Sequence, residues 1–600
     1  MNQRILSING LSIDFETPDG PVHAVNNIDC HVNAGECLGI VGESGSGKSQ
    51  TFLAAMGLLA NNGRARGEVL FGEKNLLQLP TAELNKLLGD RLAIIFQDPL
   101  TSLTPHMRIG EQMAEVLRVH RQLKRSESRL LCLQWLDRVH IPDGSRRFKQ
   151  YPHELSGGMR QRVMIAMCML CQPELLIADE PTTALDVTVQ AEILDLMIEL
   201  QQDLGTAIVL ITHDMGVVAR MCDRIHVMRS GEYIETGSTA DIFYRPQHEY
   251  TRMLLDAVPK LSTDRVDNSI SEKLRNDNTL LVAHDVQMHF TLKNKWFKPP
   301  TILRAVDGIS FSLNAGETLG IVGESGSGKS TLARAILRLL PASSGVVSWL
   351  GTDLTNLDTK TMRGMRKDLQ IVFQDPLASL DPARTVGFSI MEPLLVHEPS
   401  LTSTDRQERA KAIMLKVGLD TGLLNRYPHE LSGGQNQRVG IARAMILNPQ
   451  LIICDEAVSA LDVSIQAQII QLLKQLQHDH GLAYLFISHD LSVVSEISHR
   501  VMVMYLGAVV ELASSKKLFS NPQHPYTQQL ISAVPIADPE IERSRQRIKF
   551  DAELASPLDP SARLRFLPSK RSTEPNYRPK LLERFEGHYV AEHDPIGDLF

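Results

Sequence analysis

The sequence lacks long apolar runs. No stretch approaches the roughly 18 consecutive apolar residues that a membrane-spanning helix needs. The first ten residues, MNQRILSING, also lack the apolar core of a secretion signal. These two absences predict a protein that stays in the cytoplasm and does not cross a membrane itself.

Cysteine is scarce, with seven residues in a chain of 600. An odd and scattered set does not form a disulfide framework and fits a reducing compartment. Cys168 and Cys171 lie close together, but no second pair completes a zinc site, so we interpret them as helix-packing residues. An excess of positive charge is missing too, because the net charge is -8, which provides no global basic field for nucleic acid.

The chain repeats itself. VGESGSGKS begins at Val41 and again at Val322, and YPHELSGG begins at Tyr151 and again at Tyr427; between them, IIFQDPLTSL is matched by IVFQDPLASL. A duplicated domain fits a length that exceeds what one core organises. We therefore predict domains over residues 1–260 and 280–537, joined by a polar linker, residues 261–279. A tail rich in arginine and proline follows, residues 538–600, and either packs on a domain or stays extended.

Short apolar runs alternate with helical patterns in each copy, as in CLGIV, LLIA and AIVLIT of the first. This alternation predicts an α/β fold with a mainly parallel sheet covered on both faces. Between Gln97 and Ser156 the pattern becomes purely helical, with Met113, Val116 and Leu117 on one helix face. Each copy is therefore expected to carry a helical subdomain.

A phosphate-binding loop is predicted in each copy. GESGSGKS has the form GxxxxGK[ST] and stands between a buried strand and an apolar helix, the context that gives this motif its meaning. Glycines leave main-chain amides free to surround phosphate oxygens, the lysine neutralises charge between the outer phosphates, and the final serine is a ligand for Mg²⁺. The predicted ATP-binding residues are Gly42, Glu43, Ser44, Gly45, Ser46, Gly47, Lys48 and Ser49, and Gly323, Glu324, Ser325, Gly326, Ser327, Gly328, Lys329 and Ser330.

Two adjacent carboxylates end an apolar strand in each copy. LLIADE ends with Asp179 and Glu180, and LIICDE ends with Asp455 and Glu456. Adjacent carboxylates at a strand end can divide the work of hydrolysis. We predict that the aspartate holds Mg²⁺ and that the glutamate takes the proton of the attacking water.

A histidine follows each glutamate at the same spacing in both copies, again at the end of an apolar strand: His213 and His489. The repeated spacing favours a role at the terminal phosphate over a structural role. Gln97 and Gln374 each precede Asp-Pro and follow an apolar triplet. We expect these glutamines to contact Mg²⁺ or the attacking water.

LSGGMRQR and LSGGQNQR resemble the signature sequence of ATP-binding cassette (ABC) proteins. The resemblance implies two tandem P-loop domains in which each ATP lies between the glycine loop of one half and the signature of the other. It assigns Ser432, Gly433 and Gly434 to the site of Lys48, and Ser156, Gly157 and Gly158 to the site of Lys329. The resemblance also implies that Asp186 and Asp462 meet across the pair, and that Phe15 and Phe290 stand where the family stacks an aromatic ring on adenine.

The sequence departs from the family pattern at three positions. Met159 and Asn436 alter the signature tail, and Ala457 replaces the proline that commonly follows the catalytic glutamate. None of these changes removes a predicted phosphate ligand, metal ligand or base. We therefore predict two hydrolytic sites.

Three classes of ATPase compete at this point: a transporter subunit, a ribosome-associated translation factor and a DNA-repair or chromosome ATPase. Translation factors with paired cassettes carry a long charged helical linker, whereas the linker predicted here is short. Repair ATPases insert zinc cysteines or long coiled coils, which the sequence lacks. A transporter subunit is the first choice.

RPQHEYTRMLLDAVP and NPQHPYTQQLISAVP follow the two cassettes and are similar to the His-Pro-Tyr-Thr element of peptide and nickel importer ATPases, although Glu249 replaces the proline in the first. The resemblance implies import of peptides, glutathione or short oligopeptides first and nickel or another small solute second. It also implies two membrane permeases and an extracytoplasmic solute-binding protein as partners, no nucleic acid, and a location at the cytoplasmic face of the bacterial inner membrane.

Overall fold

The computed structural model of the chain describes residues 3–17, 20–97, 102–183, 185–259, 278–292, 301–459, 461–548, 562, 565–566, 568 and 577–594. The predicted linker, residues 261–279, lies outside the described residues except at its last two positions. Much of the predicted tail lies outside them as well. Among the described residues, none of the helices is both long enough and apolar enough to span a bilayer.

The first cassette begins with an antiparallel sheet in the strand order β2-β1-β4-β5. Its strands are β1 Arg4–Thr17, β2 Gly20–Asn33, β4 Gly63–Phe71 and β5 Lys74–Asn75. Leu6, Ile8, Leu11 and Ile13 of β1 are buried, and a register shift between Ile8 and Leu11 keeps both pairs on the core face.

A second sheet of the first cassette has the order β10-β9-β3-β8-β7-β6 and is parallel except for the β9–β10 pair. Its strands are β3 Cys37–Val41, β6 Leu92–Ile95, β7 Leu175–Asp179, β8 Ala207–Thr212, β9 Arg224–Arg229 and β10 Glu232–Ser238. Leu38 and Ile40 pack into the core shared with the antiparallel sheet, whereas Cys37 and Val41 pack into the core shared with the helical region. Both faces are thus covered, which explains why every residue of β3 is buried.

Helices fill the rest of the first cassette. They are α1 Lys48–Ala55, α2 Thr81–Leu87, α3 Ile109–His120, α4 Arg125–Arg138, α5 Gly144–Arg147, α6 Gly157–Met169, α7 Val187–Leu204, α8 Met215–Met221, α9 Thr239–Tyr244 and α10 Glu249–Ala257, with 3₁₀ turns at Leu76–Gln78 and Pro152–Glu154. In the predicted helical subdomain, Met113 and Leu117 are fully buried and share a core with Trp135 and Leu136 of α4.

The second cassette repeats this architecture, with a four-stranded sheet in the order β12-β11-β14-β15. The strands of the second cassette, counting both of its sheets, are β11 Thr279–Leu292, β12 Thr301–Asn314, β13 Thr318–Val322, β14 Ser344–Trp349, β15 Thr352–Asp353, β16 Leu369–Val372, β17 Leu451–Asp455, β18 Ala483–Ile487, β19 Arg500–Tyr505 and β20 Ala508–Ser514. The predicted fold, with a mainly parallel core, an antiparallel part and a helical subdomain in each half, is confirmed.

Most helices of the second half correspond to helices of the first, with a 3₁₀ turn at the place of α5. They are α11 Lys329–Ile336, α12 Thr359–Met365, α13 Val386–His397, α14 Ser403–Lys416, α15 Gly433–Met445, α16 Val463–His480, α17 Leu491–Ile497, α18 Ser515–Ser520, α19 Pro525–Ala533 and α20 Pro539–Ser544, with 3₁₀ turns at Thr421–Asn425 and Pro428–Glu430.

Part of the predicted tail belongs to the second cassette. Strands β21 Leu581–Phe585 and β22 His588–Ala591 form a hairpin, and β22 pairs with β20 to extend the sheet to eight strands. Oε1 of Glu511, a buried carboxylate on β20, lies 2.7 Å from Nε2 of His588 and accepts its hydrogen bond. The hairpin thus covers a sheet edge that would otherwise expose unpaired main-chain groups.

Candidate functional site

The glycine loops have a backbone that requires glycine at specific positions. Gly47 has φ 101° immediately before Lys48, where α1 begins, and a Cβ on it would overlap the main-chain oxygen of Ala24. A Cβ on Gly42 would overlap the main-chain oxygen of Met228. Gly323 and Gly328 repeat this arrangement in the second loop. Each loop is therefore compact and presents its amides at the start of a helix.

Each loop lysine folds back over its own loop. Nζ of Lys48 donates to the carbonyl oxygens of Gly42 and Glu43, both at 2.7 Å, and Nζ of Lys329 donates in the same way to its own loop. Burial lowers the pKa of both lysines, although nearby carboxylates, those of Glu180 and Glu456 foremost, oppose it. A partly desolvated ammonium group that lies against a glycine loop suits an anionic ligand such as a phosphate.

Unpartnered hydroxyls lie inside both loops. Within the described part of the chain, the buried Oγ atoms of Ser46 and Ser327 have no hydrogen-bond partner. Buried polar groups are normally satisfied. These two serines therefore fit a loop whose remaining partner is a phosphate oxygen of a bound nucleotide.

The predicted metal ligands lie together in each half. Oγ of Ser49 donates to Oδ1 of Asp179 at 2.9 Å, and Oγ of Ser330 donates to Oδ1 of Asp455 at 2.7 Å. Burial, followed by the charge of the adjacent glutamate, raises the pKa of both aspartates. A hydroxyl and a buried carboxylate are the oxygen donors that Mg²⁺ takes beside phosphates. The residues present thus fit a Mg²⁺ ion.

Glu180 follows β7 with a positive φ of 47°, a backbone conformation that is unusual for this residue type. Its carboxylate contacts three side chains: Nδ1 of His213 at 3.0 Å, Nε2 of Gln97 at 2.8 Å and Oγ1 of Thr183 at 2.9 Å. Burial acts to raise the pKa of Glu180, but the hydrogen bond and charge of His213 outweigh it, so the pKa is below its usual value. Glu180 is therefore held ionised, as a general base must be.

Glu456 occupies the same place in the second half, with φ 51°. Nε2 of Gln374 lies 2.7 Å from Oε2 of Glu456, and Nδ1 of His489 lies 3.6 Å from the same oxygen. Ser459, at the position of Thr183, instead donates to the main-chain oxygen of Glu456. Among the described contacts, the second glutamate is thus held by fewer close side chains than the first. The contact of Thr183 with Glu180 was not predicted from the sequence, because Thr183 belongs to no recognisable motif.

The two halves meet at the glycine loops. The main-chain amide of Ser44 donates to Oδ1 of Asp462 at 3.0 Å, and that of Ser325 donates to Oδ1 of Asp186 at 2.7 Å. A second pair of contacts joins each loop glutamate to the other half: Ser464 donates to Glu43 at 2.7 Å and Thr188 donates to Glu324 at 2.5 Å. The arrangement is reciprocal, so each glycine loop is completed by the opposite cassette.

The signature serines begin helices. Oγ of Ser156 accepts from the amide of Met159 at the start of α6, and Oγ of Ser432 accepts from the amide of Gln435 at the start of α15. A Cβ on Gly157 would lie 3.8 Å from Leu185, directly before Asp186, which contacts the opposite glycine loop. Gly433 is related to Leu461 in the same way, at 3.7 Å. Each signature therefore adjoins the segment that crosses to the other cassette.

The two predicted adenine-stacking residues differ in exposure. Phe15 is half-buried, and a Cβ on Gly63 would lie 2.7 Å from Cε1 of its ring. Phe290 is 36 % exposed. Neither aromatic ring is fixed against the glycine loop by a described contact.

The segments that follow the cassettes, which contain Tyr250 and Tyr526, hydrogen-bond to the glycine loops. The sequence did not predict this role. The hydroxyl of Tyr250 accepts a 3.3 Å hydrogen bond from the amide of Glu43, and that of Tyr526 accepts a 3.0 Å bond from the amide of Glu324. The one feature of the sequence that indicated this role was the Tyr-Thr pair, which occurs after both cassettes. The elements thus brace the loops in addition to capping the domains.

Comparison with known proteins gives matches over the whole chain. The ABC transporter family model matches residues 25–183 and 306–459, and the model for the C-terminal region of oligopeptide/dipeptide transporters matches residues 234–279 and 510–559. The glutathione import ATP-binding protein GsiA of Pectobacterium atrosepticum is 45% identical, covering 99% of this chain and 98% of its own. GsiA of Salmonella choleraesuis is 47% identical over 91% of this chain and 92% of its own, and GsiA of Escherichia coli K12 is 46% identical over 92% and 93%. Two glycine loops, each contacted by the opposite cassette of the same polypeptide, together with these matches, establish that the chain belongs to the ABC transporter family as an ATPase with two fused cassettes.

Proposed function

We propose that this chain drives the uptake of glutathione or other short peptides by hydrolysing ATP at two sites, each completed by both cassettes. The observation that supports the substrate class is its similarity, over 99% of the chain, to a protein that bears the name glutathione import ATP-binding protein. The oligopeptide/dipeptide transporter region after each cassette supports an importer of this family over a translation factor, and the similarity to GsiA supports a peptide over nickel as the solute.

Residues of this chain divide the chemistry at each site. Lys48 or Lys329 and the loop amides hold the phosphates, and Ser46 or Ser327 supplies a further hydroxyl. A bound Mg²⁺ would be held by Ser49 and Asp179, or by Ser330 and Asp455, and would neutralise charge on the transferred phosphoryl group.

Glu180 and Glu456 act as general bases on the attacking water in this proposal. In the first site, His213 and Thr183 orient the carboxylate of Glu180, and Gln97 reaches the same group from the sheet edge. The signature residues, Ser432 to Gly434 for the first site and Ser156 to Gly158 for the second, complete the sites from the opposite cassette. All ligands predicted for hydrolysis are present twice, which supports two active sites.

The proposal includes two membrane permeases and an extracytoplasmic solute-binding protein as partners, and a place at the cytoplasmic face of the inner membrane. ATP closes the cassettes, the helical subdomains move the permeases, and hydrolysis resets the pair. The solute pocket is then formed by the partner subunits and not by this chain.

Uptake of radiolabelled glutathione, a dipeptide and Ni²⁺ by cells that express the chain with its permeases and binding protein tests the proposal. We expect glutathione or peptide uptake that Lys48→Ala with Lys329→Ala abolishes and that Lys86→Ala, at an exposed lysine, leaves intact. Ni²⁺ uptake alone would replace the substrate class, and no uptake of any of the three would refute glutathione and peptides as the solute while leaving the ATPase in place.

A further inference from the structure

A segment that follows the second cassette lies against the first. Helix α20 contacts α8, which begins two residues after His213. Pro535 approaches Gly216 of α8 so closely that a Cβ on the glycine would lie 2.6 Å from Cβ of the proline. We call residues 535–548 the clamp segment.

The centre of this contact is a buried carboxylate. Glu542 is 1% exposed, and its Oε1 accepts from Nη1 of Arg220 at 3.1 Å and from Nη2 of Arg547 at 2.5 Å. Its Oε2 accepts from the amide of Ile536 at 2.9 Å. Arg220 also pairs with Asp195 of the first cassette. A buried carboxylate is tolerated only with such partners, so the contact depends on both cassettes.

Two further contacts surround this centre. Arg543 donates to the carbonyl oxygens of Ala219 and Cys222 at the end of α8, where a cation is favoured by the helix dipole. The hydroxyl of Tyr244 donates to Oδ1 of Asp538 at 2.7 Å. The clamp segment therefore binds the first cassette along α8 and at the end of α9.

The internal duplication allows this contact surface to be compared between the two cassettes. The difference in residue number between Tyr151 and Tyr427 also relates each later position of the first cassette to its counterpart in the second. The counterparts of Gly216, Arg220, Asp195 and Tyr244 are Ser492, Glu496, Gln471 and Ser520. Glu496 bonds Lys474 of its own cassette at 2.9 Å. At the same offset, Glu542 corresponds to Val266. The residues that make this contact are thus replaced in the sequence at the equivalent positions of the other half.

We infer that residues 535–548 form a one-sided clamp that joins the end of the second cassette to the helix following His213 in the first. The two cassettes, which otherwise contact each other reciprocally, are thereby held unequally. Helix α8 opens less readily than its counterpart α17, because α8 must first release the clamp. This inference does not depend on the solute that is transported.

Hydrogen-exchange mass spectrometry of the nucleotide-free, full-length chain tests the inference. We expect Glu542→Gln to accelerate exchange in residues 215–222 and 536–545 together, and to leave 491–498 unchanged. The matched control is Glu540→Gln, at an exposed position of the same helix, which should leave all three segments as in the wild type. Equal exchange in 215–222 for the two variants would overturn the inference.

A second variant covers the case in which Glu542→Gln does not fold. Alanine favours helices more than glycine does, so Gly216→Ala would stabilise α8 if nothing lay against it. We expect it instead to accelerate exchange in 536–545, because its methyl group displaces Pro535. Ser492→Ala in α17 is the control and should leave 536–545 unaffected. Slower or unchanged exchange in 536–545 of Gly216→Ala would contradict the clamp.

Discussion

The main-chain amide of Ser325 donates a 2.7 Å hydrogen bond to the carboxylate of Asp186, which stands far earlier in the chain and in the other cassette. The reciprocal bond joins Ser44 to Asp462. Asp186 immediately precedes α7 but does not cap it with its side chain. Its carboxylate is therefore available to the opposite glycine loop, and the two nucleotide sites are physically linked through it.

Asp186→Ala should lower ATP turnover. A hydrogen bond to a charged group contributes about 1.5–3 kcal/mol, and a loss of this size in cassette closure corresponds to a fall in turnover of roughly tenfold or more. Steady-state ATPase assays on the purified chain measure it. Asp203→Ala, at the far end of the same helix, is the control and should retain wild-type turnover. Wild-type turnover in Asp186→Ala would show that the contact has no part in closure.

The stability of the nucleotide-free protein should depend on pH through His213 and His489. Burial acts to lower the pKa of both, but the hydrogen bond and charge of Glu180 at His213, and the carboxylate of Glu456 at 3.6 Å from His489, outweigh it, so both pKa values are raised. A raised histidine pKa gives stabilisation that is complete below the unfolded-state value and is lost as pH rises through the folded-state value. Each pair should contribute up to about 1 kcal/mol.

Thermal unfolding of the wild type and of His213→Gln with His489→Gln measures this contribution. The difference between them should be greatest near about pH 6, where the glutamates are ionised and the histidines protonated, and should shrink at higher pH. His478→Gln, at a histidine whose side chain is 90% exposed, is the control. A difference that grows as pH rises would contradict the raised pKa values.

His588→Ala should destabilise the second cassette. It removes the 2.7 Å contact to Glu511, which is fully buried and keeps only the amides of Gln523 and His524 as partners among the described contacts. Loss of one partner of a buried charged group costs about 1–3 kcal/mol. Calorimetry should resolve a lowered transition for one cassette, since chains of several domains do not unfold in one step. An unchanged thermogram, matching that of His478→Ala, would mean that the hairpin is not anchored by this pair.

The sequence could predict most of the nucleotide sites because their residues follow one another in short motifs. Gly42 to Ser49 needs only a strand before it and a helix after it. The meeting of Asp179 with Ser49 follows from parallel strands whose carboxyl ends share one sheet edge. The contact between Asp186 and Ser325 was accessible only through family resemblance, since nothing local connects the two positions.

The C-terminal region was less predictable for physical reasons. Its arginines and prolines favour an extended or solvated chain, yet Glu542 is buried by pairing with Arg220, which belongs to the other cassette and is remote in sequence. Strand β22 is short, and its pairing with β20 brings His588 against Glu511, which is remote in sequence. Neither the Glu542–Arg220 contact nor the pairing of β22 with β20 is accompanied by a periodic pattern in the sequence.

The composite arrangement of the two sites is tested most directly by ATPase rates of combined variants. Glu456→Gln should silence one site, because removal of a general base costs about a hundredfold or more, and leave turnover at Glu180. Adding Ser156→Arg to Glu456→Gln should then change little, since both residues belong to the silent site, whereas adding it to Glu180→Gln should abolish the remaining turnover. The opposite pattern, with Ser156→Arg additive to Glu456→Gln but not to Glu180→Gln, would mean that each signature serves its own cassette and would contradict the account.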